Sequence, residues 1–486
     1  MKHGFLLCLF VGIFLVGESQ NTVKKNTTTN PPVSGPSIKV RVAPLKNTVV
    51  YLGSYYGKSR ILVDSVKLNA QSEGVFQRKE KYPGGIYFLV SPEKYILQEF
   101  LMDQQQRFSL LGDTIKKEEF QILGSEDNTL FLQYTKESGA LALQLQQIDV
   151  AFQQAKTEEE KNRLRSDYKK FDDQLKQLRF SFVQKNPTSN LSAFLNAMKR
   201  PEVPPIPIIN GKADSLYPYR YVKEHFWDDV LFNDERLLRT PFFEPKIDEY
   251  FSQYVSPDAD SIIPEIKFML LSAKGTKELY PYLLMKFTNK YIQPEYMGQD
   301  KVFVYLFEQF YLKGDTTILN AASKKTVFER GYSLIANQIG LPAPQLQLAK
   351  KEGGRFVLDD VRASFTFISF WDPNCGHCKE TVPRVDSIYN ASWKNFGVTL
   401  VGVNTDEAAM AEWNSFIKDK SLTNWVHVYQ PKQEKEADFK QGIPNYRQLY
   451  DIRSTPTFYL LDKDKRIIAK QLSLEQFDQL IKNKSK

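Results

Sequence analysis

Two cysteines separated by two residues, Cys375 and Cys378, are the side chains of this 486-residue chain whose types and spacing most clearly indicate a chemistry. The apolar run from Phe365 to Trp371 predicts a buried strand, and the residues from Cys375 to Val385 predict the helix that follows it. Three-residue spacing in a first helical turn places both sulfurs on one face, close enough for a disulfide of ordinary geometry. We therefore expect a disulfide between them to form and break without movement of the backbone.

The predicted helix N-terminus should activate the first of these thiols. Unpaired backbone N–H groups and the positive end of the helix dipole favour an anion, so the pKa of Cys375 should lie below its free value of about 8.5. His377 can supply a positive charge or an N–H donor to that sulfur, which stabilises the reduced form and makes the disulfide a better oxidant. Cys378, one turn deeper, is the expected resolving thiol.

The cysteine count favours redox chemistry over two simpler roles. The chain has three cysteines, and the third, Cys8, lies in an N-terminal leader, so the mature protein would carry only the pair. A structural disulfide is one alternative, but it would close a two-residue loop and stabilise the fold little. A zinc site is the other, and beyond the pair the sequence offers only the isolated His225 and His427. We therefore expect no metal and no cofactor.

Other motifs surround the cysteine pair at characteristic spacing. The segment Gly340–Leu348 precedes the strand, Pro383 follows Cys378 by five residues, and Thr455-Pro456 stands just before another predicted strand. With the pair, these motifs across residues 339–486 resemble the TlpA/ResA-like thiol-disulfide oxidoreductases of Gram-negative envelopes, which belong to the thioredoxin superfamily. The resemblance implies a thioredoxin-like fold in which Pro383 kinks the active-site helix. It also implies that Thr455-Pro456 is a cis-proline loop that lies against the cysteines and docks a substrate's backbone.

The sequence departs from this family at the group that moves protons. Related enzymes often carry an acidic residue beneath the cysteine pair, at the positions held here by Ser369 and Thr381. Asp372 and Glu380 are the nearest carboxylates and are the candidates for proton transfer. Glu380, however, is one residue, about 100° of helix, from the expected place.

The remaining chain predicts a multidomain protein with a leader. Residues 1–19 predict a signal peptide, because a short polar start precedes an apolar run of about 14 residues, short of the roughly 18 that a membrane-spanning helix needs. Residues 20–37, rich in Thr, Pro, Ser and Gly, predict a flexible linker.

Three folded regions are expected after the linker: an N-terminal antiparallel β-sandwich at residues 38–114, an α-helical middle region at 115–338, and a C-terminal α/β thioredoxin-like fold at 339–486. In the middle region, Thr157–Glu160 predicts a capping box before an apolar stripe from Leu164 to Phe182. That stripe could be a coiled-coil dimer seam, but packing within a helical bundle is favoured because it spans fewer than three heptads. The middle region shows no second set of catalytic or metal-ligating residues.

These observations predict an exported thiol-disulfide oxidoreductase of the periplasm or cell envelope that acts on proteins. Cys375 would attack, Cys378 would resolve the mixed disulfide, and Trp371 with Pro373 would form an apolar rim for the substrate. The expected partners are exported proteins with cysteines or disulfides and an upstream thiol electron donor or acceptor. The chain has a net charge of +8 but no long basic cluster, so we expect no nucleic-acid partner. We also expect no stable membrane span once the signal peptide is cleaved.

The sequence leaves the direction of electron transfer open and is compatible with two other functions. The Gly-His insert between the cysteines favours an oxidant, whereas the family resemblance favours a reductant, which is the expected role. The protein could instead be a non-catalytic envelope binding or scaffold protein with a vestigial cysteine pair. It could also be a thiol peroxidase, although such an enzyme would need Thr three residues before the cysteine, where Asp372 stands.

Overall fold

The computed structural model describes residues 35–116 and 120–485. The predicted signal peptide and most of the predicted linker lie outside these residues. The chain forms two compact units. The first extends to Val255 and includes Leu271–Tyr280, and the second contains Ser256–Leu270 and the residues from Pro281 onward. The predicted helical region is thus divided between the units, and the predicted domain bounds stay predictions.

The first unit begins with a β-sandwich. Its strands are β1 (Ser37–Ala43), β2 (Val49–Tyr56), β3 (Ser59–Lys67), β4 (Glu73–Gln77), β5 (Gly85–Val90), β6 (Ile96–Met102), β7 (Arg107–Asp113) and β8 (Gln121–Leu123). They form two four-stranded sheets, in the orders β4-β1-β7-β8 and β3-β2-β5-β6, whose inward side chains share one apolar core. Every pair of neighbouring strands is antiparallel except β1 and β7, which are parallel. The prediction of a purely antiparallel sandwich was wrong at this pair, because strands so distant in sequence are not bound to hairpin geometry.

The helices of the first unit start with a long hairpin. The elements are α1 (Glu126–Gln154), α2 (Glu158–Lys185), α3 (Asn190–Ala197), the two-residue strands β9 (Ile208–Ile209) and β10 (Lys212–Ala213), α4 (Tyr217–His225) and α5 (Phe243–Gln253). Thr157 caps α2 by accepting a hydrogen bond from the Glu160 backbone N–H. The apolar stripe of α2 lies against α1, where the rings of Tyr134 and Phe182 meet edge to face at 5.3 Å.

The second unit is built on a seven-stranded mixed sheet. Its elements are α6 (Ala259–Ser272) and α7 (Leu279–Tyr291), most of whose residues belong to this unit, then α8 (Asp300–Leu306), α9 (Ala321–Ile335), β11 (Gln347–Lys350), β12 (Arg355–Val357), β13 (Phe365–Trp371), α10 (Gly376–Ala391), β14 (Val398–Asn404), α11 (Met410–Asp419), β15 (Trp425–Tyr429), α12 (Lys432–Lys440), α13 (Tyr446–Leu449), β16 (Thr457–Leu461), β17 (Ile467–Lys470) and α14 (Leu474–Lys484). The strand order is β12-β11-β15-β14-β13-β16-β17.

Both faces of this sheet are covered, which explains why all seven residues of β13 are buried. One face forms an apolar core with α10, α11 and α14, and the other forms a second core that includes α13. The fold class predicted from the sequence, with β, helical and thioredoxin-like regions in that order, is confirmed. No helix among the described residues is both long and apolar enough to cross a membrane.

Helices α8 and α9 are joined to the thioredoxin-like sheet by buried polar contacts. The Lys470 ammonium on β17 donates to Asp300 Oδ2 at 2.6 Å, and to the side-chain and main-chain oxygens of Asn337 at 2.6 and 2.8 Å. The guanidinium of Arg330 on α9 forms an ion pair with Asp451, and both side chains are almost fully buried. These helices are therefore structural partners of the sheet.

Candidate active site

Cys375 lies at the junction between the central strand and its helix. The chain leaves β13 after Trp371, and a tight turn follows in which Asp372 Oδ1 accepts from the Asn374 N–H at 2.7 Å. The Asp372 carbonyl accepts from the Cys375 N–H at 3.2 Å, and α10 begins at the next residue. Cys375 is the N-cap, and its side chain does not cap the helix. The first N–H groups of α10 are thus available to its sulfur.

The predicted cis-proline loop lies against this cysteine. The Thr455-Pro456 peptide bond is cis, as the sequence motif predicts. In the thiol form, Cys375 donates to the Thr455 carbonyl oxygen, with 3.2 Å between sulfur and oxygen. The structure therefore brings together a sulfur and a loop that are 80 residues apart in the chain.

The two thiols differ in exposure and in acidity. Both are free, Cys375 being partly exposed and Cys378 fully buried. Burial raises the pKa of Cys375, but hydrogen bonds from the Thr455 side chain, from Cys378 and from the His377 backbone N–H outweigh burial and hold that pKa below its ordinary value. Burial raises the pKa of Cys378 to about 12. This difference suits a first thiol that attacks and a second that stays protonated until it is needed.

The residue predicted to tune the Cys375 thiolate and the two predicted to transfer protons lie in different surroundings. His377 is exposed, and its backbone N–H helps to stabilise the Cys375 thiolate. The side chain of Asp372 is partly buried and engaged in the turn before the helix, whereas Glu380 is exposed on α10. Glu380 is therefore a poor candidate for a group beneath the pair. Proton transfer by Asp372, and tuning by the His377 imidazole, stay predictions.

The predicted apolar rim was wrong. Trp371 is fully buried, because alternation along β13 turns its side chain toward the core beneath α10, where its ring lies 5.4 Å from that of Phe416. Pro373 is buried as well. The exposed surface beside the cysteines is instead formed by Asn374, Gly376 and His377.

Sequence analysis missed the buried polar residues around the site. It gave no role to Arg330 and Asp451, whose ion pair holds the chain four residues before Thr455. It considered His427 only as an isolated zinc-ligand candidate, whereas this side chain is buried on β15 with its ring 5.9 Å from that of Trp413. In the described part of the chain, no cluster of three or more His, Cys, Asp or Glu side chains is arranged to hold a metal ion.

The dithiol at the N-terminus of α10 lies beside the cis Thr455-Pro456 bond, which immediately precedes β16, the strand paired with β13. This arrangement defines the class as a protein-disulfide oxidoreductase with a thioredoxin-like domain. Residues 339–470 match the AhpC/TSA family. Residues 153–326 match a second family, described as a domain of unknown function (DUF5106).

The relatives found by sequence agree with this class. The chain is 27% identical over 143 residues to proteins named thiol-disulfide oxidoreductase ResA from Bacillus thuringiensis (strain Al Hakam) and Bacillus anthracis. The match covers 29% of this chain and 75% of each relative. The predicted resemblance to ResA-like oxidoreductases is confirmed.

Two solved structures are similar to parts of this chain. A thioredoxin-like protein from Bacteroides caccae ATCC 43185 is 19% identical, with a TM-score of 0.44 over 59% of this chain and 99% of its own. A domain of a possible thiol-disulfide isomerase from Cytophaga hutchinsonii ATCC 33406 is 30% identical, with a TM-score of 0.25 over 30% of this chain and 92% of its own.

Proposed function

We propose that the protein is an exported reductant that exchanges disulfides with protein substrates through the Cys375–Cys378 dithiol. The observation that carries the proposal is the asymmetry of the two thiols. Cys375 is partly exposed, has a lowered pKa and contacts the cis Thr455-Pro456 loop, whereas Cys378 is buried with a pKa of about 12. Such a site can attack a disulfide from outside and then resolve the adduct from inside.

In the first step, the Cys375 thiolate attacks one sulfur of the substrate's disulfide. A bond forms between Cys375 and that sulfur, the substrate's own S–S bond breaks, and the other substrate sulfur leaves as a thiolate that takes up a proton. Cys378 then loses its proton and attacks the Cys375 sulfur. This forms the Cys375–Cys378 disulfide and releases the second substrate thiol. A dithiol donor must reduce the protein for another cycle.

The Thr455-Pro456 loop supplies the docking surface for the substrate's backbone. Its carbonyl at Thr455 is already a hydrogen-bond acceptor within 3.2 Å of the Cys375 sulfur. Pro456 is partly exposed, so a polypeptide that reaches Cys375 can lie against both residues. Exposed Asn374 and His377 complete the surface that a substrate would meet.

We further propose a direction of electron transfer and a cellular location for the protein. Dithiol potentials in this superfamily run from about −270 mV for thioredoxin to about −180 mV for protein disulfide isomerase, a span of roughly 4 kcal/mol. The relatives named ResA support an oxidoreductase, and the family resemblance supports the reducing direction. The predicted signal peptide at residues 1–19 supports export to the periplasm or cell envelope, where proteins with disulfides are found.

Reduction of insulin by dithiothreitol tests the proposal. The wild-type protein should accelerate the precipitation of reduced insulin, and Cys375→Ser should abolish the acceleration because it removes the attacking sulfur. Asn390→Ala, an exposed change at the far end of α10, is the matched control and should leave the rate unchanged. If Cys375→Ser were as active as wild type, the dithiol would not be the active site, and a non-catalytic scaffold would remain.

A further inference from the structure

The segment between β15 and α13 carries two apolar side chains that the fold leaves in solvent. It consists of α12 and the turn that ends it, and none of the nine residues of α12 is buried. Phe439, in the last turn of α12, is 86% exposed, and Ile443, in the turn that follows, is 49% exposed. A surface helix is usually stabilised by an apolar face packed on the core, because a helix this short is marginal alone. These two side chains therefore contribute little to the fold.

Polar contacts hold α12 in place instead of an apolar face. Lys435 forms an ion pair with Glu407. The Arg355 guanidinium donates to the two carboxylate oxygens of Glu434 at 2.8 and 2.7 Å. The helix thus has a defined position although it buries no apolar side chain.

The end of α12 fixes the two apolar residues in a hydrogen-bonded turn. The Gly442 N–H donates to the Phe439 carbonyl at 3.2 Å, and the Ile443 N–H donates to the Asp438 carbonyl at 2.9 Å. Gly442 has a φ of 70°, the left-handed conformation that this way of ending a helix requires. Phe439 and Ile443 are therefore presented by an ordered backbone and not by a frayed helix end.

Helix α12 lies at the same edge of the sheet as Cys375. Strands β13, β14 and β15 are parallel, and their last residues, Trp371, Asn404 and Tyr429, lie opposite one another. Cys375 comes four residues after β13, and α12 begins three residues after β15. The carboxyl ends of parallel strands meet at one edge, which is where open α/β sheets bind their ligands.

Contacts along this edge connect α12 with the active-site strand. The Thr405 N–H, just after β14, donates to the Trp371 carbonyl at 2.9 Å. Glu407, two residues further on, pairs with Lys435 of α12. Lys435 and Phe439 are four residues apart in the helix, so they lie on one face. The face of α12 that bears Phe439 is thus the face that meets the residues following β14.

A polypeptide bound at Cys375 can reach this surface. Strands β13 and β15 are two strand spacings apart, about 10 Å. An extended chain advances about 3.3 Å per residue, so about three residues beside the substrate's cysteine cover that distance. The exposed residues next to Cys375 are Asn374, Gly376 and His377, which offer no large apolar side chain. Apolar contacts with a substrate are therefore made further along the edge.

We propose that Phe439 and Ile443 form a docking surface for apolar side chains that flank the disulfide of a polypeptide bound at Cys375. This inference rests on the proposed function and names the substrates that it favours, which are extended segments with apolar residues within about three positions of the cysteine. Docking removes both exposed side chains from water, and this lowers KM for such substrates. The same contacts are made before and during disulfide exchange, so they leave kcat unchanged.

Reduction of two synthetic peptides tests the inference. Both peptides contain one internal disulfide, whose cysteines are flanked by leucines in one peptide and by serines in the other. The full chain is assayed for kcat and KM with dithiothreitol as the dithiol donor, after subtraction of the uncatalysed rate. The test variant is Phe439→Ser/Ile443→Ser, and Phe439→Leu is the conservative change that keeps an apolar side chain. Because both side chains are exposed, these variants should fold as the wild type does.

Leu341→Ser is the matched control. Leu341 is also an exposed apolar residue of the second unit, at 45%, and its carbonyl accepts from the Ile467 N–H at 2.9 Å, beside the turn between β16 and β17. Strand β16 is antiparallel to β13, and its last residue, Leu461, pairs with Thr366 near the start of β13. Leu341 therefore lies at the edge of the sheet opposite to Cys375, which follows the end of β13.

We expect the wild-type protein to have a lower KM for the leucine peptide than for the serine peptide. Phe439→Ser/Ile443→Ser should raise KM for the leucine peptide about tenfold, the factor that corresponds to about 1.4 kcal/mol of lost binding, without a change in kcat. Phe439→Leu should retain most of the wild-type preference, and Leu341→Ser should retain all of it.

Several outcomes would overturn this inference. They are equal wild-type KM values for the two peptides, an unchanged preference in the double variant, and a loss confined to kcat. Gel filtration tests a second copy of the chain as the occupant. A wild-type dimer that dissociates in the double variant, with KM for the leucine peptide unchanged, would assign the surface to self-association. If the wild-type protein reduces neither peptide, it is the proposed dithiol function that fails, whatever the role of α12.

Discussion

Replacing Asp451 by Asn should destabilise the second compact unit and weaken the support of the active-site loop. Asp451 pairs with Arg330, and their side chains are 6% and 4% exposed. Arg330 also donates from Nε to the Ile292 carbonyl at 3.0 Å. The substitution would keep the shape of the side chain but leave the guanidinium charge buried without its anion. Asp451 has a φ of 47°, a conformation that Asn tolerates well, so backbone strain should not add to the effect.

The size of the effect follows from burial. Removing one partner of a buried ion pair costs about 3–5 kcal/mol, because the remaining charge is no longer compensated. That is a large part of the roughly 5–15 kcal/mol by which folded proteins are stable. The exposed pair Arg355–Glu434, at 49% and 38% exposure, is the matched control. Arg355→Met should cost only about 0–1 kcal/mol, since such pairs remain in contact with solvent.

Unfolding in guanidinium chloride, followed by tryptophan fluorescence, measures the stability of both variants and reports mainly on the second compact unit. Four of the five tryptophans lie in the second unit, at positions 371, 393, 413 and 425. The double variant Arg330→Met/Asp451→Asn should regain most of the lost stability, because neither charge of this pair is then buried without its partner. A loss below about 1 kcal/mol in Asp451→Asn, or a double variant no better than the single one, would refute this reasoning.

Two further predictions concern the thiols and the core. Because the pKa of Cys375 is lowered, its alkylation by iodoacetamide should reach half its maximal rate below the free value of about pH 8.5. At pH 7, more of this thiol should be ionised than in free cysteine. Cys378 should stay unmodified in the native protein, as peptide mapping would show. A midpoint at or above the free value would contradict this. Phe367→Ala should cost about 3–5 kcal/mol in the same unfolding assay, since the ring is fully buried against three other aromatic rings, whereas Phe439→Ala, at 86% exposure, should change stability by no more than about 0.5 kcal/mol. Equal costs for the two phenylalanines would show that the core assignment is wrong.

The sequence predicts those parts of the site that are local in the chain. A buried strand, a Cys-Gly-His-Cys segment and a helix are contiguous, so their order alone places Cys375 at a helix N-terminus. The Thr455-Pro456 loop is distant in the chain, but its motif identifies it, and the structure places it at 3.2 Å from the sulfur. The fold class follows from the same periodicities.

Other parts depend on tertiary contacts that no local pattern encodes. The sequence marks Trp371 as apolar and near the cysteines, but whether its side chain faces solvent or core depends on the helix that covers β13. Arg330 and Asp451 are separated by 121 residues, and nothing in either segment indicates the other. Ser369, Gly402 and His427 become neighbours only once three strands pair in register, and no local pattern around any of the three indicates the other two.

The second step of the mechanism can be tested by removing its nucleophile. Cys378→Ser keeps Cys375 able to attack but cannot resolve the adduct, so it should hold protein substrates as mixed disulfides. The control is Cys375→Ser, which lacks the attacking sulfur and should hold none.

The most direct measurement is the mass of each variant after reaction with disulfide-bonded insulin, with and without dithiothreitol. The account predicts that Cys378→Ser gains the mass of one insulin molecule, whose chains stay joined by the remaining interchain disulfide, that dithiothreitol releases it, and that Cys375→Ser gains nothing. No adduct on folded Cys378→Ser, or an equal adduct on Cys375→Ser, would contradict the claim that Cys375 is the attacking thiol.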